Sequence, residues 1–330
     1  MVSDNEERRN EFKKNLFLEQ FLEELNNNLS ISEKKLLDYG PIKYPIIFIV
    51  GPLRSGTTLL LQWLANLKIV AYPTNLMSRF YKAPIIGSKI QLLLTDERLN
   101  FRNELYDFNL NIDFKSYNGK TKGILAPNEF WYFWRKFLPL KDLDYLPTDE
   151  LLKKTDIKTF KAEFKGITEV FQKPFALKAL ICNYNIDFLD NIFEKAIFIY
   201  TKRNPLTNIE SVLDARKRQY GTIEKWYSFK IPEYSELIKL DPYRQAAGQV
   251  YYINKAVSSS LENLPKHKKI TVIYEEFCEN PKKYYIELLN KLESNGYSVD
   301  IPYNGPEKFN ITRKSVTDKK IIDAYKFFYK

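Results

Sequence analysis

Pro45-Ile46-Ile47-Phe48-Ile49-Val50-Gly51-Pro52-Leu53-Arg54-Ser55-Gly56-Thr57-Thr58, residues 45–58, changes character at its midpoint. The first half is continuously apolar and rich in β-branched residues, as a strand covered on both faces of a parallel sheet must be. The second half holds Gly51 and Gly56 around a short polar turn, and Leu60, Leu61, Leu64 and Leu67 follow at helical spacing. A strand, a glycine-bearing turn and a helix in that order aim backbone N–H groups and the helix N-terminus at an anion. The stretch therefore predicts both a buried parallel sheet and a phosphate-type binding loop at its edge.

Similar short apolar runs recur at Phe175–Leu180, Ala196–Thr201 and Ile270–Tyr274, each followed by a segment of helical pattern. The alternation predicts an α/β fold, a P-loop-type parallel β-sheet flanked by helices. Residues 75–170 or so carry helical periodicity, a turn-like SYNGKTKG at 116–123 and no clear strand, and read as a helical cap insertion over the strand ends. Upstream, Phe12, Leu16, Phe21, Leu25 and Leu29 recur between charges and predict one long amphipathic helix over 5–29. Its Leu18, Leu22, Leu25 and Leu29 seam packs on the domain or forms a homodimer contact. The division expected is residues 1–40 as an N-terminal amphipathic helix and 41–330 as one domain containing the insertion.

Composition narrows the chemistry. The 330 residues include 51 Lys+Arg against 41 Asp+Glu, a formal charge of +10, and 44% are hydrophobic, enough for a large core. With two cysteines, Cys182 and Cys278, and a single histidine, His267, zinc-finger, His-rich metal and disulfide frameworks are excluded. No apolar run reaches the roughly 18–20 residues of a membrane span, and the polar start is unlike a secretory signal. A cytoplasmic protein is expected. The basic surplus suits an anionic ligand, although a genome rich in Lys, Asn, Ile and Tyr produces the same balance without functional demand.

The loop departs from nucleotide-hydrolysing versions. They need Lys where Thr57 stands and an acidic residue at a neighbouring strand end to hold Mg²⁺, whereas the run Ala196–Thr201 ends in Lys202-Arg203. Such an end repels a metal and attracts a second phosphate, so the expected ligand carries two anionic groups and no metal. The alternatives are a P-loop nucleotide kinase, which those absences disfavour, and a non-enzymatic basic nucleic-acid-binding protein, for which no recognition motif is present.

Arg54-Ser55-Gly56-Thr57-Thr58 after a strand, then Arg203-Asn204-Pro205 with Ser211, then Val272-Ile273-Tyr274-Glu275-Glu276-Phe277 with Asn280-Pro281, together resemble the PAPS-dependent sulfotransferase family. The likeness is to its bacterial branch, related to tyrosylprotein and carbohydrate sulfotransferases, and runs from about residue 45 to 320. It implies an enzyme that moves a sulfuryl group from 3′-phosphoadenosine 5′-phosphosulfate (PAPS) to an acceptor by metal-independent in-line attack. By the same resemblance Arg54, Ser55, Gly56, Thr57 and Thr58 cradle the 5′-phosphosulfate, Arg203 and Ser211 hold the 3′-phosphate, and Tyr274 lies near the nucleotide. Thr312-Arg313-Lys314-Ser315 resembles the late basic loop that closes over the 3′-phosphate, which makes Arg313 and Lys314 candidates as well.

Lys178, in Phe175-Ala176-Leu177-Lys178, falls where tyrosylprotein-type relatives carry a Lys contacting the transferred group, with Leu180 in place of their following Pro. An ordinary strand-end lysine is the alternative. For a base, His267 precedes a strand start, at the edge opposite the expected ligand. The Glu found shortly after the loop in tyrosylprotein-type relatives has no counterpart in Ala71–Asn75. Glu129, in Pro127-Asn128-Glu129-Phe130-Trp131-Tyr132-Phe133-Trp134, is the best candidate, with Asn128 expected to cap a helix starting at Glu129. The following aromatics raise its pKa by desolvation and the helix N-terminus lowers it; alternatively Glu129 is only the first-turn acid of an aromatic core helix. Asp96 and Glu97 are weaker candidates. Trp131, Tyr132 and Trp134 either stack on a sugar or aromatic acceptor or fill core. The acceptor expected is a bacterial carbohydrate or lipid-linked glycan.

Overall fold

The computed structural model describes residues 2–99, 104, 112–139, 144–311 and 315–329. Its sheet has the strands β1 (Ile46–Val50), β2 (Phe175–Lys178), β3 (Ala196–Lys202) and β4 (Lys269–Ile273), all parallel, in the order β2-β1-β3-β4. Each begins where the apolar runs predict, give or take a residue. β2 stops two residues early, because Leu180–Cys182 turn into a 3₁₀ helix.

The α-helices are α1 (Val2–Glu7), α2 (Leu16–Glu33), α3 (Thr57–Leu67), α4 (Pro84–Thr95), α5 (Trp131–Phe137), α6 (Thr148–Lys154), α7 (Ile157–Phe171), α8 (Ile186–Ile192), α9 (Pro205–Tyr220), α10 (Tyr234–Leu237), α11 (Pro242–Glu262), α12 (Tyr274–Glu279), α13 (Pro281–Ser294) and α14 (Lys319–Phe328). None among the described residues is long and apolar enough to cross a membrane.

Alternation along β1 builds the layers. Ile46, Phe48 and Val50 face a core with side chains from α5, α7, α8, α9 and α11, while Ile47 and Ile49 face α3 and α13. Complete burial of an aromatic such as Phe48 contributes about 1.5–3 kcal/mol, and its ring meets Phe164, Phe193 and Phe198. Within the region read as a cap, α7 lies against the sheet face, since Phe164 also reaches Phe175.

The N-terminal reading needs correction. Residues 5–29 do not form one helix: α1 ends at Glu7, a 3₁₀ turn covers Asn10–Phe12, and α2 starts at Leu16. Asn15 accepts from the Leu18 N–H and so caps a new helix. Phe12 is meanwhile drawn down to 2% exposure, stacked on Tyr117. In the leucine seam Leu22 is buried and Leu18, Leu25 and Leu29 are half-buried in the chain's own fold, which leaves Leu16, Phe17 and Phe21 exposed. α2 is latched to α4: Glu33 accepts from the Ile85 and Ile86 N–H groups at 2.7 and 3.0 Å, at a helix end that has no side-chain cap of its own.

The order of strands puts β1 between two neighbours reached by connections running in opposite directions. Ligands of open α/β sheets bind at such a switch point, beyond the strands' carboxyl ends. The loop after β1 lies there.

Candidate active site

The loop from Gly51 to Gly56 takes its shape from a few buried contacts. Gly51 has φ +131° and a Cβ there would stand 2.6 Å from the Thr201 carbonyl oxygen. Gly56 has φ +102° and any side chain would collide with the Tyr274 ring. Ser55, fully buried, donates to the Pro52 carbonyl and shares a 2.7 Å hydrogen bond with the Thr201 hydroxyl. Its side chain thus holds the turn from inside. Gly56 then starts α3 without a side-chain cap, leaving the first N–H groups of that helix for an anion.

Arg54 itself has a positive φ of 64°, the kind of backbone strain that collects at functional sites. Its Nε lies 3.4 Å from the Ser211 hydroxyl, and its carbonyl accepts from Arg203 Nη1 at 3.0 Å. The Arg203 guanidinium lies over the Tyr274 ring, 4.6 Å from the centroid. Arg54, Gly56, Arg203, Ser211 and Tyr274, spread over 220 residues of sequence numbering from 54 to 274, are therefore one cluster. Arg203 and Ser211 come together because Asn204 caps α9, accepting from the Leu206 and Thr207 N–H groups, and Pro205 opens it. Burial depresses the Arg54 pKa; Arg218 and Arg203 add repulsion, against partial relief from Tyr227 and Glu129. Arg54, Arg203 and Arg218 gathered beside the N-terminus of α3 form a site that favours an anion.

A second cluster adjoins the first. Lys178, at the end of β2 and 4% exposed, donates to Thr58 Oγ1 at 2.6 Å and to Glu129 Oε1 at 2.9 Å. Glu129 Oε2 accepts from the Trp131 indole N–H at 2.6 Å, and Trp134, fully in the core, donates to the Lys178 carbonyl. Asn128 accepts from the Phe130 N–H, but the helix does not begin at Glu129: Phe130 is left-handed at φ 57° and α5 starts at Trp131. Helix-dipole stabilisation of Glu129 is thus not the controlling effect. Burial, the largest influence, pushes its carboxyl up. The Lys178 charge and hydrogen bond, the Trp131 N–H and the Arg54 charge outweigh burial and hold it below its ordinary value.

The turn at 116–123 folds onto this cluster. Tyr117 and Lys120 exchange backbone hydrogen bonds, and a Cβ on Gly119 would stand 3.1 Å from Glu129 Oε1 and 3.6 Å from Thr58 Oγ1. Asn118 accepts from Arg218 Nε at 2.8 Å. The N-terminal segment lies across the turn through Phe12 on Tyr117 and Lys120 over the Phe12 ring at 5.2 Å, and it is tied to α9 by the Arg9 N–H on the Gln219 carbonyl at 2.9 Å.

Other candidates fall elsewhere. His267 is exposed beside the start of β4, at the far edge of the sheet. Asp96 pairs with Arg98 at the end of α4, and Tyr132 donates to Glu19. Arg313 and Lys314 lie outside the described residues. Sequence reasoning missed the residues that pin the loop. Asn183 accepts from the Gly51 N–H and donates to the Gly51 carbonyl, both at 2.8 Å, and Asn208 donates to the Leu53 carbonyl. Nothing local marks either asparagine. Asn183→Ala strips two buried backbone groups of their partners and is expected to lower stability by about 2–6 kcal/mol. The urea midpoint measures this.

The description "Sulfotransferase family" belongs to a family model that matches residues 45–295. No curated protein matches the chain. Among solved structures, sulfotransferase STF9 from Mycobacterium avium is similar at 17% identity, covering 85% of this chain and 76% of that one, with a TM-score of 0.50. Sulfotransferase STF1 from Mycobacterium tuberculosis H37Rv is similar at 12% identity, covering 90% and 75%, with a TM-score of 0.49. The match begins at the first strand, takes in the loop, the strand carrying Lys178, the Arg203 and Ser211 turn and Tyr274, and ends after α13: the chain belongs to the sulfotransferase family.

Proposed function

We propose that the protein transfers a sulfuryl group from PAPS to an acceptor hydroxyl. The observation that carries this reading is the joining of Arg54, Arg203 and Ser211 in one place beside the uncapped N-terminus of α3. Two anionic groups of one small molecule fit there. The α3 N–H groups, Arg54, Thr57 and Thr58 would hold the 5′-phosphosulfate end. Arg203 and Ser211 would hold the 3′-phosphate, with Tyr274 beneath the Arg203 guanidinium. PAPS supplies an activated sulfuryl group.

Glu129 is assigned as the base that takes the acceptor proton as the acceptor oxygen bonds to sulfur and the sulfur–oxygen bond to the phosphate breaks. Lys178, between Glu129 and Thr58, is a fixed cation for charge developing on the transferred group and the leaving oxygen, and Arg54 and the loop N–H groups serve the same end. The half-buried Trp131, held by Glu129, offers an aromatic face for a carbohydrate or lipid-linked glycan, the acceptor class we favour, met in the cytoplasm. A kinase reading is weakened by Thr57 at the lysine position and by Lys202 and Arg203 at the end of β3.

Nucleotide titration tests the reading. 3′,5′-ADP is expected to bind at least tenfold more tightly than 5′-AMP or ATP, with or without Mg²⁺. Equal binding of 5′-AMP would remove the second phosphate position, and Mg²⁺-dependent preference for ATP would restore the kinase.

A further inference from the structure

Tyr227 lies on the connection between α9 and α10, outside the motifs that place the donor, and its side chain is half-buried. Buried groups hold the backbone on both sides of it. Gln249 of α11, fully buried, donates to the Tyr227 carbonyl at 3.1 Å and to the Phe229 carbonyl at 3.5 Å. Arg216 of α9, equally buried, donates to the Ile223 carbonyl at 3.2 Å and lies 5.4 Å from the centroid of the Trp226 ring. The Trp226 indole N–H donates in turn to the Phe229 carbonyl. Ser228, next in the chain, is left-handed at φ 74°, a conformation that a serine keeps only where its surroundings impose it. The connection therefore fixes the place of Tyr227.

That place is beside the reacting cluster. The Tyr227 hydroxyl is within electrostatic reach of Arg54, Glu129 and Arg218, and Arg54 responds in turn to Tyr227 and Glu129. Burial pushes the phenol up to about 12, Arg54 opposes this and Glu129 adds to it. At neutral pH the group is therefore an uncharged hydrogen-bond donor. Among the described residues it donates to no acceptor, and its oxygen is not one of the fully buried atoms left without a partner, so it keeps accessible surface. The groups around it are engaged: both Glu129 oxygens accept a hydrogen bond, and Arg54 Nε faces the Ser211 hydroxyl.

Position and chemistry together narrow what this donor serves. Arg54 belongs to the end of the site assigned to the leaving phosphate, and Glu129 to the end assigned to the acceptor proton. A donor close to both stands level with the group that passes between them. The phosphate already has Arg54 and the α3 N–H groups, and the acceptor oxygen has to give its own proton to Glu129, which leaves the sulfonate oxygens as the partner in need of a donor. We infer that Tyr227 is a further donor-site residue, whose hydroxyl donates to an oxygen of the transferred sulfuryl group and keeps that group in line between Arg54 and Glu129. The inference rests on the sulfuryl-transfer reading and adds to it a residue that recognises the sulfonate rather than the nucleotide.

Calorimetric titration of the full chain and of Tyr227→Phe with PAPS and with 3′,5′-ADP, no acceptor present, tests it. The two nucleotides differ only by the sulfonate. Tyr227→Phe is expected to weaken PAPS by about tenfold, the size of one hydrogen bond to a charged group. It should change 3′,5′-ADP affinity by less than about twofold and leave the melting temperature where it is. The inference is overturned if PAPS binds the variant as tightly as the wild type, or if PAPS and 3′,5′-ADP weaken alike, which makes Tyr227 a support of the fold or of the nucleotide. Those outcomes leave the sulfuryl-transfer reading standing. A wild-type chain that binds 3′,5′-ADP no better than 5′-AMP overturns that reading and this inference with it.

Discussion

Arg203→Ala is expected to weaken 3′,5′-ADP binding by about ten- to a hundredfold while leaving 5′-AMP affinity nearly unchanged. A charge-assisted hydrogen bond to a phosphate contributes about 1.5–3 kcal/mol, and Arg203 is built to deliver it. Arg203 is 7% exposed, and its guanidinium is tied to the Arg54 carbonyl and lies over the Tyr274 ring, so little side-chain entropy remains to be lost on binding. Those constraints also make lysine a poor substitute, since an ammonium keeps the charge but neither forks nor stacks in the same way. Arg203→Lys should recover only part of the loss. Binding measured with both nucleotides separates this from general damage: equal weakening of 5′-AMP means the loop has collapsed, and an undiminished affinity for 3′,5′-ADP means the second phosphate goes elsewhere.

How much of this was readable beforehand follows from the range of each contact. The sheet was legible because a strand such as Ile46–Val50, buried on both faces, has to be apolar at every position, and that signal is contained within the strand. The loop was legible for a related reason: the left-handed Gly56 and its contact with Tyr274 exclude any residue with a side chain. Lys178 and Glu129 could each be singled out, but their ion pair joins positions 49 residues apart and exists only once β2 and the turn before α5 are assembled. The direction of the Glu129 shift was unreadable because it depends on that pair. The break at Asn15 was hidden by apolar residues that keep helical spacing on both sides of it, and only the burial of Phe12 against Tyr117 shows why the chain leaves the helix. The hold of Asn183 on Gly51 spans 132 residues and has no local mark.

Glu129→Gln is expected to lower turnover by about 10²–10⁴-fold, the usual contribution of a general base, with 3′,5′-ADP affinity almost unchanged. The amide keeps the size of the side chain and an oxygen for Lys178, so the loss would be that of a proton acceptor. Each carboxylate oxygen already accepts one hydrogen bond, from Lys178 and from Trp131, and a carboxylate has lone pairs for more. The pH profile gives a second reading of the same group. Because Lys178, Trp131 and Arg54 together hold the Glu129 carboxyl below its ordinary 4.5, the base is ionised throughout the neutral range. The acid limb of kcat/KM should then lie below about pH 4.5 and be absent from the Gln variant. Lys178→Ala removes the strongest of the opposing influences and leaves burial to raise the carboxyl, so in that variant the acid limb should move upward as the rate falls. A Gln variant with normal turnover rejects Glu129 as base, and an acid limb that stays put in Lys178→Ala assigns that limb to a different group.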